Sequence, residues 1–249
     1  MSDNLIIEKK AYQFRRDNSF NDSDCIQIQN ILYKLNVTTV FKPLRPGFSG
    51  MAIKITGEDE PQRFILVNSQ HAVGKQHFTI CHELYHLFIQ ENFSSIVCET
   101  GRFDNKSGEE YNADLFAAYL LLPENGIKAL IPDIELSKNK ITLKTILKIE
   151  QYFSCSRRAL LHRLKQLNII DSKVYSTFVQ NITLGAWEHG YNVALYKPGN
   201  HDLVIGDYGT IAKELFDSEK ISEAHYHSLL FDIGMDIDDI EEMANGEEF

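Results

Sequence analysis

The sequence predicts an α+β protein, because its β-prone runs cluster between residues 37 and 68 while helical patterns lie on either side. That order gives a small sheet covered by helices rather than a regular strand–helix alternation. Residues 4–34 read as two helices, the second opening near Ser23 with Cys25, Ile26, Ile28, Ile31 and Leu32 on its inner side. The β-prone runs are residues 37–41, 51–56 and 63–68, and GEDEP at 57–61 reads as the loop of a hairpin. A helix is expected over residues 74–90, and after a polar loop another over 108–122, stopped by Pro123.

The first domain is therefore assigned to residues 1–135. Residues 136–171 form a separate helical unit resembling a helix-turn-helix, in which residues 138–167 carry basic side chains at Lys138, Lys140, Lys144, Lys148, Arg157, Arg158, Arg163 and Lys165 against Glu150 alone. Two helical patterns flank the break at 154–156, where Ser156 is a plausible N-cap. Leu160, Leu161, Leu164 and Leu167 would pack inward and Arg157, Arg158 and Arg163 would face out. Residues 172–249 read as a small C-terminal α/β region with strands at 191–196 and 202–205, two helices and an acidic tail from Asp232.

Composition narrows the function. Against 25 Lys and Arg stand 35 Asp and Glu, a formal net charge of −10 in 249 residues. A protein that works by coating nucleic acid is usually basic, since phosphate neutralisation supplies most non-specific affinity. Cys25, Cys81, Cys98 and Cys155 form no CxxC pair, which argues against a thiolate metal site or a disulfide framework. The opening MSDNLIIEKK mixes acid and base where a signal peptide needs an apolar core, and no stretch is apolar enough to span a bilayer, so a cytoplasmic protein is expected.

The chemistry is concentrated in FTICHELYHLFIQ, where His82, Glu83 and His86 form H-E-x-x-H. Residues four apart on a helix share a face, so both imidazoles can reach one Zn²⁺, one ion per chain. Glu83, rotated about 100° from His82, borders the same cleft as a candidate general base. A catalytic zinc needs a third protein ligand. Ile89 and Asn92 stand where a metzincin would have glycine and histidine, which excludes that class. Glu110 is the favoured ligand, with Glu109 and Asp104 as rivals. Asp114, four residues beyond Glu110, is placed to accept the outer N–H of His82 or His86. Ser107-x-x-Glu110 also matches a capping box, in which Glu110 would only close the helix. Tyr119, Tyr111 and His77 are unranked candidates for stabilising an oxyanion.

HELYH followed by EEYNADLFAAYLLLP closely resembles the ImmA/IrrE family of metallopeptidases. Phe78, Thr79, His82, Glu83 and His86 match its first motif, and Glu110, Ala113, Asp114, Phe116, Ala117, Ala118, Leu120, Leu121 and Pro123 its second. Tyr85 departs from the usual glycine and puts bulk beside the cleft; Cys81 replaces a frequent alanine. The resemblance implies a zincin-like fold, a gluzincin-like site with Glu110 as third ligand, and a biological role: cleavage of a helix-turn-helix repressor, relieving repression during stress. The rival reading is a non-catalytic zinc-containing regulator that binds DNA directly through residues 141–167, which is not favoured.

Overall fold

The computed structural model describes residues 3–56, 60–91, 93, 95–98 and 108–235. In chain order its elements are α1 (Asp3–Asp17), α2 (Ile28–Lys34), β1 (Val37–Lys42), β2 (Gly50–Ile55), β3 (Gln62–Asn68), α3 (Val73–Phe88), β4 (Ser95–Cys98), α4 (Gly108–Leu121), α5 (Glu124–Leu130), α6 (Leu143–Phe153), α7 (Arg157–Gln166), α8 (Ser172–Phe178), α9 (Ile182–Glu188), β5 (Val204–Ile205), α10 (Tyr208–Asp217) and α11 (Glu223–Asp232). The α+β class holds. The second helix opens later than its pattern suggested, at Ile28 rather than near Ser23.

The strands form one sheet in the order β4-β2-β3-β1-β5. β1 and β3 run parallel, in a register that pairs Thr39 with Ile65 and Phe41 with Val67. β2 pairs antiparallel with β3 and with β4, and β5 antiparallel with β1. The β2–β3 pairing is that of the expected hairpin, whose loop lies partly outside the described residues. β-branched and aromatic residues along β1 suit a pleated, half-covered surface, and Val37, Thr39 and Phe41 are buried in alternation, with Val40 buried as well.

α3 follows β3 directly and is buried on nearly all sides, from Gly74 to Leu87, as an apolar helix inside a core should be. Its start is fixed by close packing: a Cβ on Gly74 would lie 2.7 Å from the Ser156 nitrogen, so the turn between α6 and α7 rests on this helix. α4 packs along α3 and α1. The Arg15 guanidinium, fully buried, reaches from α1 to the carbonyls of Leu120 and Asp24 and to that of Asn21 at 2.7 Å. One apolar core runs from Ile7 through the sheet, α3 and α4 to Ile170 and Ile205, so α6 and α7 share it with the sheet.

α6 and α7 flank the expected break, and Ser156 caps α7 by accepting from the Ala159 nitrogen. Leu160, Leu161 and Leu164 are buried as read, with Leu167 partly so. The arginines are different. Only Arg158 faces out; Arg157 is 2% and Arg163 3% exposed. Arg157 pairs with the buried carboxylate of Glu150 and donates to the Phe178 carbonyl at 3.1 Å. Arg163 donates to the Leu122 carbonyl at 3.1 Å and lies over the Tyr119 ring, 4.6 Å from its centroid. A buried guanidinium is tolerable only with such partners, and here they come from other elements.

The C-terminal region also departs from its reading. Residues 191–196 are not a strand: they form a turn ending in a 3₁₀ segment, Ala194–Tyr196. There the Tyr196 hydroxyl donates to Glu150 at 2.8 Å, a tertiary bond that overrides strand propensity. β5 occupies the end of the expected 202–205 strand, and among the described residues four helices stand where two were read. The end of the acidic tail, 236–249, lies outside the described residues. Among the described residues no helix is long and apolar enough to cross a membrane.

Candidate metal centre

α3 carries His82 and His86 one turn apart, both buried, and α4 brings Glu110 against them. The two Nε2 atoms are 3.1 Å apart. One Glu110 oxygen lies 3.4 Å from the His82 Nε2 and the other 3.4 Å from the His86 Nε2. Three donor atoms held at about 2.0–2.1 Å around one tetrahedral ion would be roughly 3.3 Å from each other. One ligand atom from each of the three residues lies within 4.8 Å of the other two, close enough for a single ion to be shared. Among the described residues these are the His, Cys, Asp and Glu side chains that cluster tightly enough to hold a metal.

The outer ring nitrogens explain why the inner ones point together. His82 Nδ1 is 2.9 Å from Asp114 Oδ1, and His86 Nδ1 is 2.5 Å from Gln90 Oε1. Both partners are oxygen acceptors, which places the ring hydrogens on Nδ1 and leaves lone pairs on Nε2. Two lone pairs and a carboxylate then converge on one point, an arrangement that a cation stabilises. Burial, with the neighbouring His82 ring adding to it, holds the His86 imidazole below its ordinary pKa, so it stays neutral and ready to ligate. Phe93 stacks on the His86 ring at 5.3 Å and 26°, fixing its plane.

Glu83 is fully buried on the flank of α3 that faces the start of β2. A Cβ on Gly50 would come within 3.0 Å of Glu83 Oε1 and 2.5 Å of the Thr79 methyl, so only glycine leaves space for this carboxylate. Glu109 points elsewhere: it accepts from the Tyr85 hydroxyl at 2.6 Å. Tyr85 is 3% exposed and packs on Phe116, so its bulk is absorbed by the core. Burial pushes the Cys81 thiol up to about 12, which removes it as a thiolate ligand.

His82, His86, Glu110 and Asp114 are thus brought together. Two of the oxyanion candidates are placed elsewhere. His77 Nδ1 is bound to the Ser154 carbonyl at 2.7 Å, and Tyr119 sits beneath Arg163, nine residues and about 13 Å along the helix axis from Glu110. Tyr111 packs at the edge of the core. Asp104 and the capping residue Ser107 lie outside the described residues. Sequence reasoning missed Gln90 and Gly50. The signal for Gln90 was its position four after His86; nothing local marked Gly50, whose role depends on the strand meeting the helix.

Two imidazoles from one helix, a carboxylate from the next and a buried glutamate beside them define a metal centre of the HExxH type. The family model Peptidase M78, IrrE N-terminal-like domain, matches residues 34–165, and the chain belongs to that peptidase family. Among curated proteins none matches the chain.

Proposed function

We propose that the chain is a zinc endopeptidase that cleaves a helix-turn-helix transcriptional repressor in the cytoplasm. The observation that supports the chemistry best is the convergence of His82 Nε2, His86 Nε2 and the Glu110 carboxylate within reach of one ion, with Glu83 alongside. When bound there, a divalent ion such as zinc supplies Lewis-acid polarisation of a peptide carbonyl and lowers the pKa of water. Glu83 takes the proton of the attacking water and delivers it to the departing amine. Asp114 and Gln90 hold the two rings in the tautomer that presents Nε2. The repressor as substrate rests on the family resemblance.

Direct DNA binding through residues 141–167 is the weaker reading, because Arg157 and Arg163 are spent inside the fold. In the test, the neighbouring reading frames are searched for a helix-turn-helix repressor, and the zinc-loaded chain and its Glu110→Ala variant are incubated with that protein. Cleavage by the parent alone, with zinc affinity lowered at least ~100-fold in the variant, is expected. An intact repressor would overturn the substrate, and unchanged zinc affinity would overturn Glu110 as ligand.

A further inference from the structure

Beside the metal centre, a cavity of about 530 Å³ lies between the first half of α3, the start of α7, and α8, α9 and the turn ending at Tyr196. Lys75, Phe78 and His82 are spaced three and four residues apart, so they share one face of α3. Phe78 is one turn from His82, about 6 Å along the axis. Neighbouring residues of an extended chain are about 3.3–3.6 Å apart. A polypeptide whose carbonyl sits at the metal centre therefore places a side chain in this cavity from within about two positions.

The lining has two characters. Phe78, Tyr175, Ile182 and Leu195 make its body apolar and aromatic. Lys75 and Arg158 make its rim cationic, and among the described residues that line it none is acidic. On a chain of net charge −10 that rim is a local exception. His162 ties the cavity to the site. Its Nε2 is 3.1 Å from the Tyr175 hydroxyl, and it feels the field of the Asp114 carboxylate that holds His82. Arg157 also touches the cavity, but its charge is offset by Glu150.

We propose that this cavity is a subsite that receives a substrate residue within about two positions of the scissile bond, selecting a large apolar or aromatic side chain flanked by an acidic one. The inference rests on the hydrolase reading above. An apolar body admits a large side chain, as specificity pockets do, and the rim attracts the neighbouring carboxylate while opposing a lysine or arginine there.

The test uses the zinc-loaded full chain on β-casein as an unfolded substrate, with cut sites mapped by mass spectrometry. The wild type should cut within two residues of a Leu, Met, Phe or Tyr that has Asp or Glu as a near neighbour. Ala159→Trp, which fills the cavity, should lower cutting at those sites relative to sites beside Gly, Ala or Ser by at least ~10-fold. Lys75→Glu combined with Arg158→Glu should move the preference from acidic to basic neighbours by roughly tenfold. Circular dichroism and zinc content report whether each variant folds, and Arg158→Glu alone, at an exposed position, serves if Ala159→Trp does not. Folded variants with the wild-type distribution of cuts overturn the subsite and leave the hydrolase standing. A zinc-loaded wild type that leaves β-casein intact but cuts the repressor overturns the subsite, and one that cuts neither removes both.

Discussion

Replacing Asp114 tests how the site is held together. Its Oδ1 lies 2.9 Å from His82 Nδ1, and at 3% exposure water has little room to take its place. A hydrogen bond to a charged acceptor contributes about 1.5–3 kcal/mol. Since each 1.4 kcal/mol is a factor of ten, Asp114→Ala should weaken zinc binding by roughly 10–100-fold. Asp114→Asn keeps an acceptor and loses the charge, so it should fall between Ala and wild type. Gln90 gives an internal control, because it does the same for His86 with a neutral amide and is only half-buried. A neutral bond contributes about 0.5–1.5 kcal/mol, so Gln90→Ala should cost roughly 2–10-fold. Competition with a chromophoric chelator gives the four affinities. If Asp114→Ala binds zinc like the parent, or Gln90→Ala costs as much as Asp114→Ala, the charge of the outer carboxylate is not what orients His82.

Two further outcomes follow from the surrounding structure. Gly50→Ala should lower stability by about 1–3 kcal/mol in urea denaturation and reduce proteolysis, because the new methyl meets Thr79, the Glu83 carboxylate and the Leu66 carbonyl; an unchanged midpoint with full activity would mean the strand yields freely. In the metal-free protein, burial holds His77 and His162 below their ordinary pKa. The unfolded chain then binds protons that the folded chain refuses as pH falls below about 6.5, so stability should drop between pH 7 and pH 5, His77 contributing at most about 1.4 kcal/mol per pH unit. Stability that is flat or rising over that interval would contradict the sign.

The site was legible in the sequence where its geometry is local. His82, Glu83 and His86 lie on one helix, and Glu110 and Asp114 on another with the same four-residue spacing, so periodicity alone put each group on a face. The contacts between helices were less legible. Reading the basic residues of α7 as a solvated face failed for Arg157 and Arg163, because Glu150 approaches from α6, Tyr119 from α4 and Leu122 from just beyond it, and no pattern within α7 reveals them. The same physics hid Gly50. Its neighbours Thr79 and Glu83 are about thirty residues away in sequence, and a glycine just before a β-prone run carries no sign of the carboxylate it accommodates. The 191–196 segment has the aromatic content of a strand, yet Tyr196 is drawn to Glu150 and the chain turns.

Glu83→Gln tests the central claim most directly, because it is nearly isosteric and leaves His82, His86 and Glu110 in place. Zinc content and proteolysis are measured on the same preparation. Zinc should remain at the parent level while the cleavage rate falls by at least ~100-fold, the usual weight of a positioned general base. A Glu83→Gln protein that holds zinc and cleaves at the parent rate would contradict the assignment of Glu83 as the base and, with it, the mechanism proposed for this site.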